Sequence, residues 1–139
     1  MQWKRFCVLL KKIKKTAQRD KDKGMVNKMG YTNYWHQHND FTDIEWKQIK
    51  EEYEYIKEVS EGIIVDETKK TDEIVFNGKH LDHETFVLNK NTNTKKDYEG
   101  QDLSFNFCKT ARKPYDLAVW HLLCFVQRIC PDFAISRDR

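Results

Sequence analysis

Apolar residues at helical spacing predict a first helix that begins near Thr42. Thr42 and Glu45 have the spacing of a capping box, in which each side chain bonds the backbone N–H of the other residue. The apolar stripe that follows consists of Ile49, Tyr53, Ile56 and Val59. This spacing places the side chains of the stripe on one face of a helix. Gly62 indicates the end of the helix, because glycine tolerates the left-handed conformation that is common there.

A second and more apolar stretch predicts a helix with more than one buried face. Pro114 stands where the first turn would begin, and Pro131 ends the stretch. The apolar residues between them are Leu117, Val119, Trp120, Leu123, Cys124, Val126 and Ile129. A helix that is apolar on several faces packs in the interior, so we expect this helix to be more buried than the first.

Alternation of apolar and polar residues predicts five strands. They span residues 31–36, 73–76, 83–88, 103–108 and 133–136. Since alternation places every second side chain on the same face, we expect Leu103, Phe105 and Phe107 to point toward the core. Asn77-Gly78 is typical of a tight turn and predicts a hairpin between the second and third of these strands.

The element order β-α-β-β-β-α-β predicts a single α+β domain over residues 30–139. We expect a mainly antiparallel sheet with two helices on one face, loosely ferredoxin-like in topology. Residues 1–29 are predicted to be a basic N-terminal extension, flexible or partly helical. The charge distribution marks the division, because residues 1–29 hold ten Lys or Arg and two Asp, whereas the remaining 110 residues hold 15 basic and 20 acidic residues.

The extension has a basic amphipathic pattern, with Trp3, Phe6, Leu10 and Ile13 near one helical face. Such a pattern is typical of segments that lie on a membrane surface, and a polybasic segment also suits nucleic acid. The alternative is that residues 1–28 are an extension from an upstream start codon. No apolar run approaches the roughly 20 residues of a membrane-spanning helix.

The cysteines are predicted to be reduced thiols. Cys7, Cys108, Cys124 and Cys130 show neither a Cys-x-x-Cys pair nor zinc-finger spacing. Reduced thiols favour a cytoplasmic location. The sequence predicts no metal and no cofactor.

Residues 106–116 (NFCKTARKPYD) concentrate cations between a predicted strand and a predicted helix. The candidate ligand-binding residues are Lys109, Thr110, Arg112, Lys113 and Tyr115. Free N–H groups and a partial positive charge at a helix N-terminus favour an anion there, and the cations strengthen this preference. The segment lacks the glycine-rich run of a P-loop. The alternative is a basic connection that pairs with acidic residues of the body, such as Glu84 or Asp138.

Four further patterns suggest other chemistry. His83-Glu84-Thr85 resembles one His-x-Thr element of the two-histidine phosphoesterases, which use such elements in pairs, so His83 and Glu84 are candidate catalytic residues. A metal site would instead draw on four histidines: His36, His38, His80 and His83. Aromatic residues near the start of the body would stack on bases or pack in the core: Tyr31, Tyr34 and Trp35. Cys108 beside Lys109 is either a thiol with a lowered pKa or a packed thiol, and packing is favoured.

Several ordered motifs resemble a family of small proteins associated with bacteriophages and bacterial mobile elements. They are residues 29–35 (MGYTNYW), 76–78 (FNG), 83–86 (HETF) and, most specifically, 107–116 (FCKTARKPYD). The resemblance runs from about residue 29 to the end and implies a start at Met29. This chain departs from the family at Asn33, where the family usually has His, and after Ser136, where the family tends toward Ser-Ser-Asp-Gly. Since no activity is established for the family, the resemblance implies a viral context and candidate site residues but no reaction.

These observations predict a small viral or mobile-element accessory protein that binds an anionic ligand at residues 107–116. The ligand would be a nucleotide or another phosphate-bearing molecule. One alternative is a phosphoesterase or nuclease-like hydrolase that uses His83 and Glu84. Another is a protein-interaction module that inhibits a host protein. The sequence leaves open whether the protein is an enzyme.

Overall fold

The strands form two antiparallel sheets in a computed structural model that describes residues 31–92 and 104–138. In chain order the elements are β1 (Thr32–His36), α1 (Asp43–Val59), β2 (Ile64–Asp66), β3 (Glu73–Gly78), β4 (Phe86–Asn89), β5 (Phe105–Lys109), α2 (Asp116–Ile129) and β6 (Ala134–Arg137). The first sheet has the order β5-β1-β6, and the second has the order β2-β3-β4. The predicted α+β class with antiparallel strands and two helices is confirmed, although the strands divide between two sheets. The predicted extension over residues 1–29 lies outside the described residues.

The capping box that opens α1 forms as predicted. The Glu45 N–H donates to Thr42 Oγ1 at 3.1 Å, and the Thr42 N–H donates to Glu45 Oε1 at 2.9 Å. The helix ends where the Ser60 N–H donates to the carbonyl of Ile56, and Gly62 follows with a φ of 86°. Local sequence signals therefore define both ends of this helix.

Each helix packs against a different sheet. Tyr53 of α1 stacks on Phe76 of β3 with 5.5 Å between ring centroids, whereas α2 lies against β1 and β6. Trp35 of β1 and Phe86 of β4 join the two sheets through rings 5.2 Å apart. The resulting core is continuous from one sheet to the other.

A buried acid–histidine contact joins the two helices. Glu52 Oε2 of α1 lies 2.6 Å from His121 Nε2 of α2, and both side chains are 1% exposed. Sequence patterns did not single out either residue, because Glu52 stands beside ordinary exposed acidic residues and its partner is 69 positions away. Only helix packing places the two side chains together.

Asn77 and Gly78 end strand β3 instead of forming the predicted turn. They pair with Val65 and Ile64 of β2, a three-residue strand that the alternation pattern did not predict. The Asn77 side chain accepts from the N–H groups of Gly78 and His83 and donates to the carbonyl of His83. Asn77 therefore organises the following connection from within the strand.

Gly78→Ala is expected to destabilise the protein, because a Cβ there would lie 2.1 Å from the carbonyl oxygen of Leu81. The neighbouring atoms belong to the backbone and cannot move aside by a simple rotamer change. We expect a loss of about 3 kcal/mol, at the upper end of the usual cost of overpacking. Urea unfolding followed by circular dichroism measures this loss, with exposed Lys79→Ala as the control. Equal urea midpoints for Gly78→Ala and Lys79→Ala would contradict the close approach of Gly78 to the Leu81 carbonyl.

The prediction that Phe105 and Phe107 of strand β5 point toward the core is wrong. Phe105 and Phe107 are 41% and 48% exposed, whereas Ser104 and Cys108 are buried. In the register with β1, Asn106 is opposite Trp35, whose side chain is buried in the core. Since directly opposite residues share a face of the sheet, that register turns the two phenylalanines outward. Leu103 of the predicted strand lies outside the described residues.

Within residues 31–92 and 104–138, neither helix combines the length and the apolar character that crossing a membrane would require.

Candidate functional site

The connection between β5 and α2 is held in an unusual backbone conformation. Ala111 and Arg112 have φ angles of 53° and 59°, in the left-handed region that non-glycine residues rarely occupy. The N–H groups of Thr110 and Ala111 both donate to the carbonyl oxygen of Tyr31, at 2.9 Å and 3.3 Å. These bonds attach the connection to the residue that precedes β1 and present the Arg112 side chain to solvent.

Asp116 at the start of α2 is a buried residue whose carboxylate accepts hydrogen bonds from side chains of several elements. Its side chain accepts from Asn33 Nδ2 and from the Thr110 hydroxyl, each at 2.6 Å, and forms an ion pair with Arg137. A carboxylate at this position also suits the partial positive charge of the helix N-terminus. The Thr110 hydroxyl, predicted to bind ligand, therefore donates to the protein's own carboxylate. Asn33, where the resembling family usually has His, acts as a hydrogen-bond donor to the same group.

Tyr115 and Glu84 connect this region to the second sheet. The buried Tyr115 hydroxyl donates to the backbone carbonyl of Glu84 at 2.6 Å, and burial raises the pKa of that hydroxyl. The Lys109 N–H donates to Glu84 Oε1 at 2.9 Å, and the Glu84 N–H donates back to the Lys109 carbonyl at 3.1 Å. Glu84 thus lies beside Lys109, whereas His83 is exposed in the connection before β4.

The three predicted cations face a different environment from Arg137. The Arg112 guanidinium lies 4.2 Å from the ring centroid of Tyr31, and Lys109 Nζ lies 5.7 Å from that of Phe107. Within residues 31–92 and 104–138, no salt bridge includes Lys109, Arg112 or Lys113. Arg137, in contrast, forms an ion pair with Asp116.

Several backbone N–H groups in the connection donate to carbonyl groups of the protein. The Lys113 N–H donates to the carbonyl of Thr110, and the Asp116 N–H donates to that of Lys113. The Leu117 N–H contacts the carbonyl of Pro114 at 3.3 Å. These bonds fix the backbone of the connection without the glycine-rich run of a P-loop.

Two cavities in the described part of the chain lie away from residues 107–116. One, of about 150 Å³, lies between the end of β1 and the end of α2, with Phe41, Glu45, Cys130 and Phe133 among its lining residues. The other, of about 520 Å³, is a shallow depression lined by Glu67, Lys69, Glu73 and Val75. The cationic connection contributes to neither cavity.

Cys108 is a packed thiol. It is completely buried, its Sγ lies 3.4 Å from the carbonyl oxygen of Glu84, and burial raises its pKa to about 12. The neighbouring Lys109 therefore does not activate it, and a nucleophilic role is not supported.

The predicted histidine set does not converge. His36 and His38 stack with 5.4 Å between ring centroids, whereas His80 and His83 lie in the connection between two strands of the other sheet. Among the residues that the structure describes, no group of three or more His, Cys, Asp or Glu side chains is arranged to hold a metal ion.

Comparisons with protein-family models, curated proteins and solved structures give no match.

Proposed function

We propose that this protein binds an anionic, phosphate-bearing ligand through Lys109, Arg112 and Lys113. The observation that supports the proposal most is the absence of a salt bridge to any of these cations within the described residues. Two acidic groups of this region already accept hydrogen bonds from the protein: Asp116 accepts from three side chains and Glu84 accepts from a backbone N–H. Lysine and arginine side chains bind phosphate oxygens through charge-assisted hydrogen bonds.

Thr110 and Tyr115, both buried, stabilise the connection between β5 and α2 through hydrogen bonds. Thr110 bonds Asp116, and Tyr115 bonds the backbone of Glu84, so both maintain the shape of the connection that carries the cations. The stacking of Arg112 on Tyr31 limits the freedom of the guanidinium before any ligand binds. Preorganisation of this kind lowers the entropy lost on binding.

The motifs that resemble phage and mobile-element proteins support an accessory role of that kind, with a phosphate-bearing ligand from the host or from the element itself. The strongest of these motifs, residues 107–116, includes all three cations.

Arg112→Ala is expected to weaken binding of phosphate, pyrophosphate or a nucleotide by about 10- to 150-fold, the range for losing one charge-assisted hydrogen bond. A thermal-shift titration measures this change. A ligand at a concentration of about 100 times its dissociation constant stabilises the wild type by roughly 2.7 kcal/mol. For a domain of this size, that stabilisation raises the melting temperature by several degrees.

Two matched variants make this test specific. Lys47→Ala removes one exposed positive charge from α1 and is expected to leave binding unchanged. Arg112→Gly deletes the same side chain as Arg112→Ala but suits the left-handed backbone, so equal losses in both variants assign the effect to the guanidinium. Absence of a shift with every phosphate-bearing ligand in the wild type would overturn the proposal.

A further inference from the structure

The outward side of the first sheet carries a group of aromatic rings. Phe105 and Phe107 on β5 are 41% and 48% exposed. Their register partners on β1 are His36 and Tyr34, respectively. Directly opposite residues in an antiparallel pair point to the same face, so these four side chains form one surface, which we call the aromatic face.

The rings of the aromatic face contact one another in a row. The Tyr34 and Phe105 centroids are 5.9 Å apart with an interplanar angle of 22°, and the Phe105 and Phe107 centroids are 6.4 Å apart. On the other side of β1, the register partners of Tyr34 and His36 are Ser136 and Ala134. Both of these β6 side chains are small, and Tyr34 and His36 are partly exposed.

The aromatic face continues into the cations of the proposed anion site. Lys109 shares this side of the sheet with Phe107, and its Nζ lies over the Phe107 ring. The connection that follows β5 then carries Arg112 and Lys113. Two acidic groups lie at this end: Glu84, which accepts from the Lys109 N–H at 2.9 Å, and Asp138, which accepts from the Thr32 N–H at 2.9 Å and the Tyr34 hydroxyl at 3.2 Å.

We propose that the aromatic face binds single-stranded nucleic acid, with bases stacked on Phe105 and Phe107 and phosphates at the cations. This inference rests on the proposed anion binding and specifies its ligand class. Exposed aromatic rings beside a cationic stripe are the combination that single-strand binding uses, because every base offers a π-face and every nucleotide a phosphate. An apolar protein partner would use the rings but leave the three charges without a role.

The test uses the full chain and fluorescently labelled single strands of about 12 nucleotides, a length within the usual range of such sites. We expect Phe107→Ala to weaken binding, measured by fluorescence anisotropy, by about 5- to 150-fold, the range for losing one base stack. Phe107→Trp preserves an aromatic surface and is expected to retain binding. Val87→Ala is the matched control, since Val87 is 40% exposed on the second sheet and should not contribute.

The same variants distinguish this inference from the proposed function. If Phe107→Ala impairs oligonucleotide binding but not pyrophosphate binding, while Arg112→Ala impairs both, both proposals are supported. If Phe107→Ala leaves oligonucleotide binding at the Val87→Ala level, or if duplexes bind as tightly as single strands, the stacking face is overturned while anion binding stands. If Arg112→Ala changes neither ligand, the anion site is overturned. If Arg112 contacts a phosphate as proposed, Arg112→Ala should also reduce the slope of the logarithm of the oligonucleotide binding constant against the logarithm of salt concentration by about 0.7.

Discussion

Glu52→Ala is expected to lower the free energy of unfolding by about 2–5 kcal/mol, because it removes a buried hydrogen-bond partner of His121 and opens a cavity between the helices. The Glu52 and His121 side chains are both 1% exposed and lie 2.6 Å apart between the helices. The substitution removes the Glu52 carboxylate from a dry interface and leaves a cavity beside the imidazole. Denaturant unfolding monitored by circular dichroism measures the loss.

The control for this prediction is the neighbouring Glu51→Ala, which changes an exposed residue on the same helix and should alter stability by about 0.5 kcal/mol or less. A double variant, Glu52→Leu with His121→Leu, is expected to recover much of the loss, because replacing both partners of a buried hydrogen bond by apolar groups of similar shape costs little. A loss below about 1 kcal/mol in Glu52→Ala would show that the contact does not stabilise the helix interface.

Asp116→Ala is expected to destabilise the protein by a similar amount, about 3–5 kcal/mol. The Asp116 side chain is 4% exposed, and its loss removes the acceptor of Asn33 and Thr110 and the ion-pair partner of Arg137. These three donors come from β1, the β5–α2 connection and β6, so the substitution disturbs the first sheet and the start of α2 together. Denaturant unfolding again gives the free energy.

Asp116→Asn separates shape from charge at this position. It retains one carbonyl oxygen as an acceptor and is expected to cost less than Asp116→Ala. Exposed Asp82→Ala is the control for removing an acidic residue and should change stability by about 0.5 kcal/mol or less. Equal stability of Asp116→Ala and Asp82→Ala would contradict the role of Asp116 as a buried acceptor.

The elements of the fold were largely predictable because their signals are local. The capping box at Thr42, the apolar stretch before Pro131 and the alternation in the strands each depend on residues within a few positions. The exceptions are β2, which has three residues and only one buried side chain, and Asn77-Gly78, whose turn-like sequence occurs at a strand end. In both cases pairing between strands decided the structure, and the local pattern did not.

The candidate site was predictable only in part. The sequence selected the cationic segment and, in the alternative interpretation, named Glu84 as one acidic partner for it. In the structure the Glu84 carboxylate accepts from the backbone N–H of Lys109 and not from a cationic side chain. The sequence did not identify Asp116 as the shared acceptor of Asn33, Thr110 and Arg137. Two of these partners, Asn33 and Arg137, are 83 and 21 positions away in the sequence, so only the fold brings them to Asp116. Ligand binding by Lys109, Arg112 and Lys113 stays a prediction that the variants above test.

By itself, the amino-acid sequence determined the α+β class, the helix boundaries, most strands and the separation of a basic segment from an acidic body. The tertiary structure decided the division into two sheets, the burial of Glu52 with His121 and the outward direction of Phe105 and Phe107. The physical reason is that a strand's alternation shows which residues share a face but not which face is buried. The register with β1 decides which face of β5 is buried. Asn106 lies opposite the buried Trp35 and shares its face, so Phe105 and Phe107 point outward.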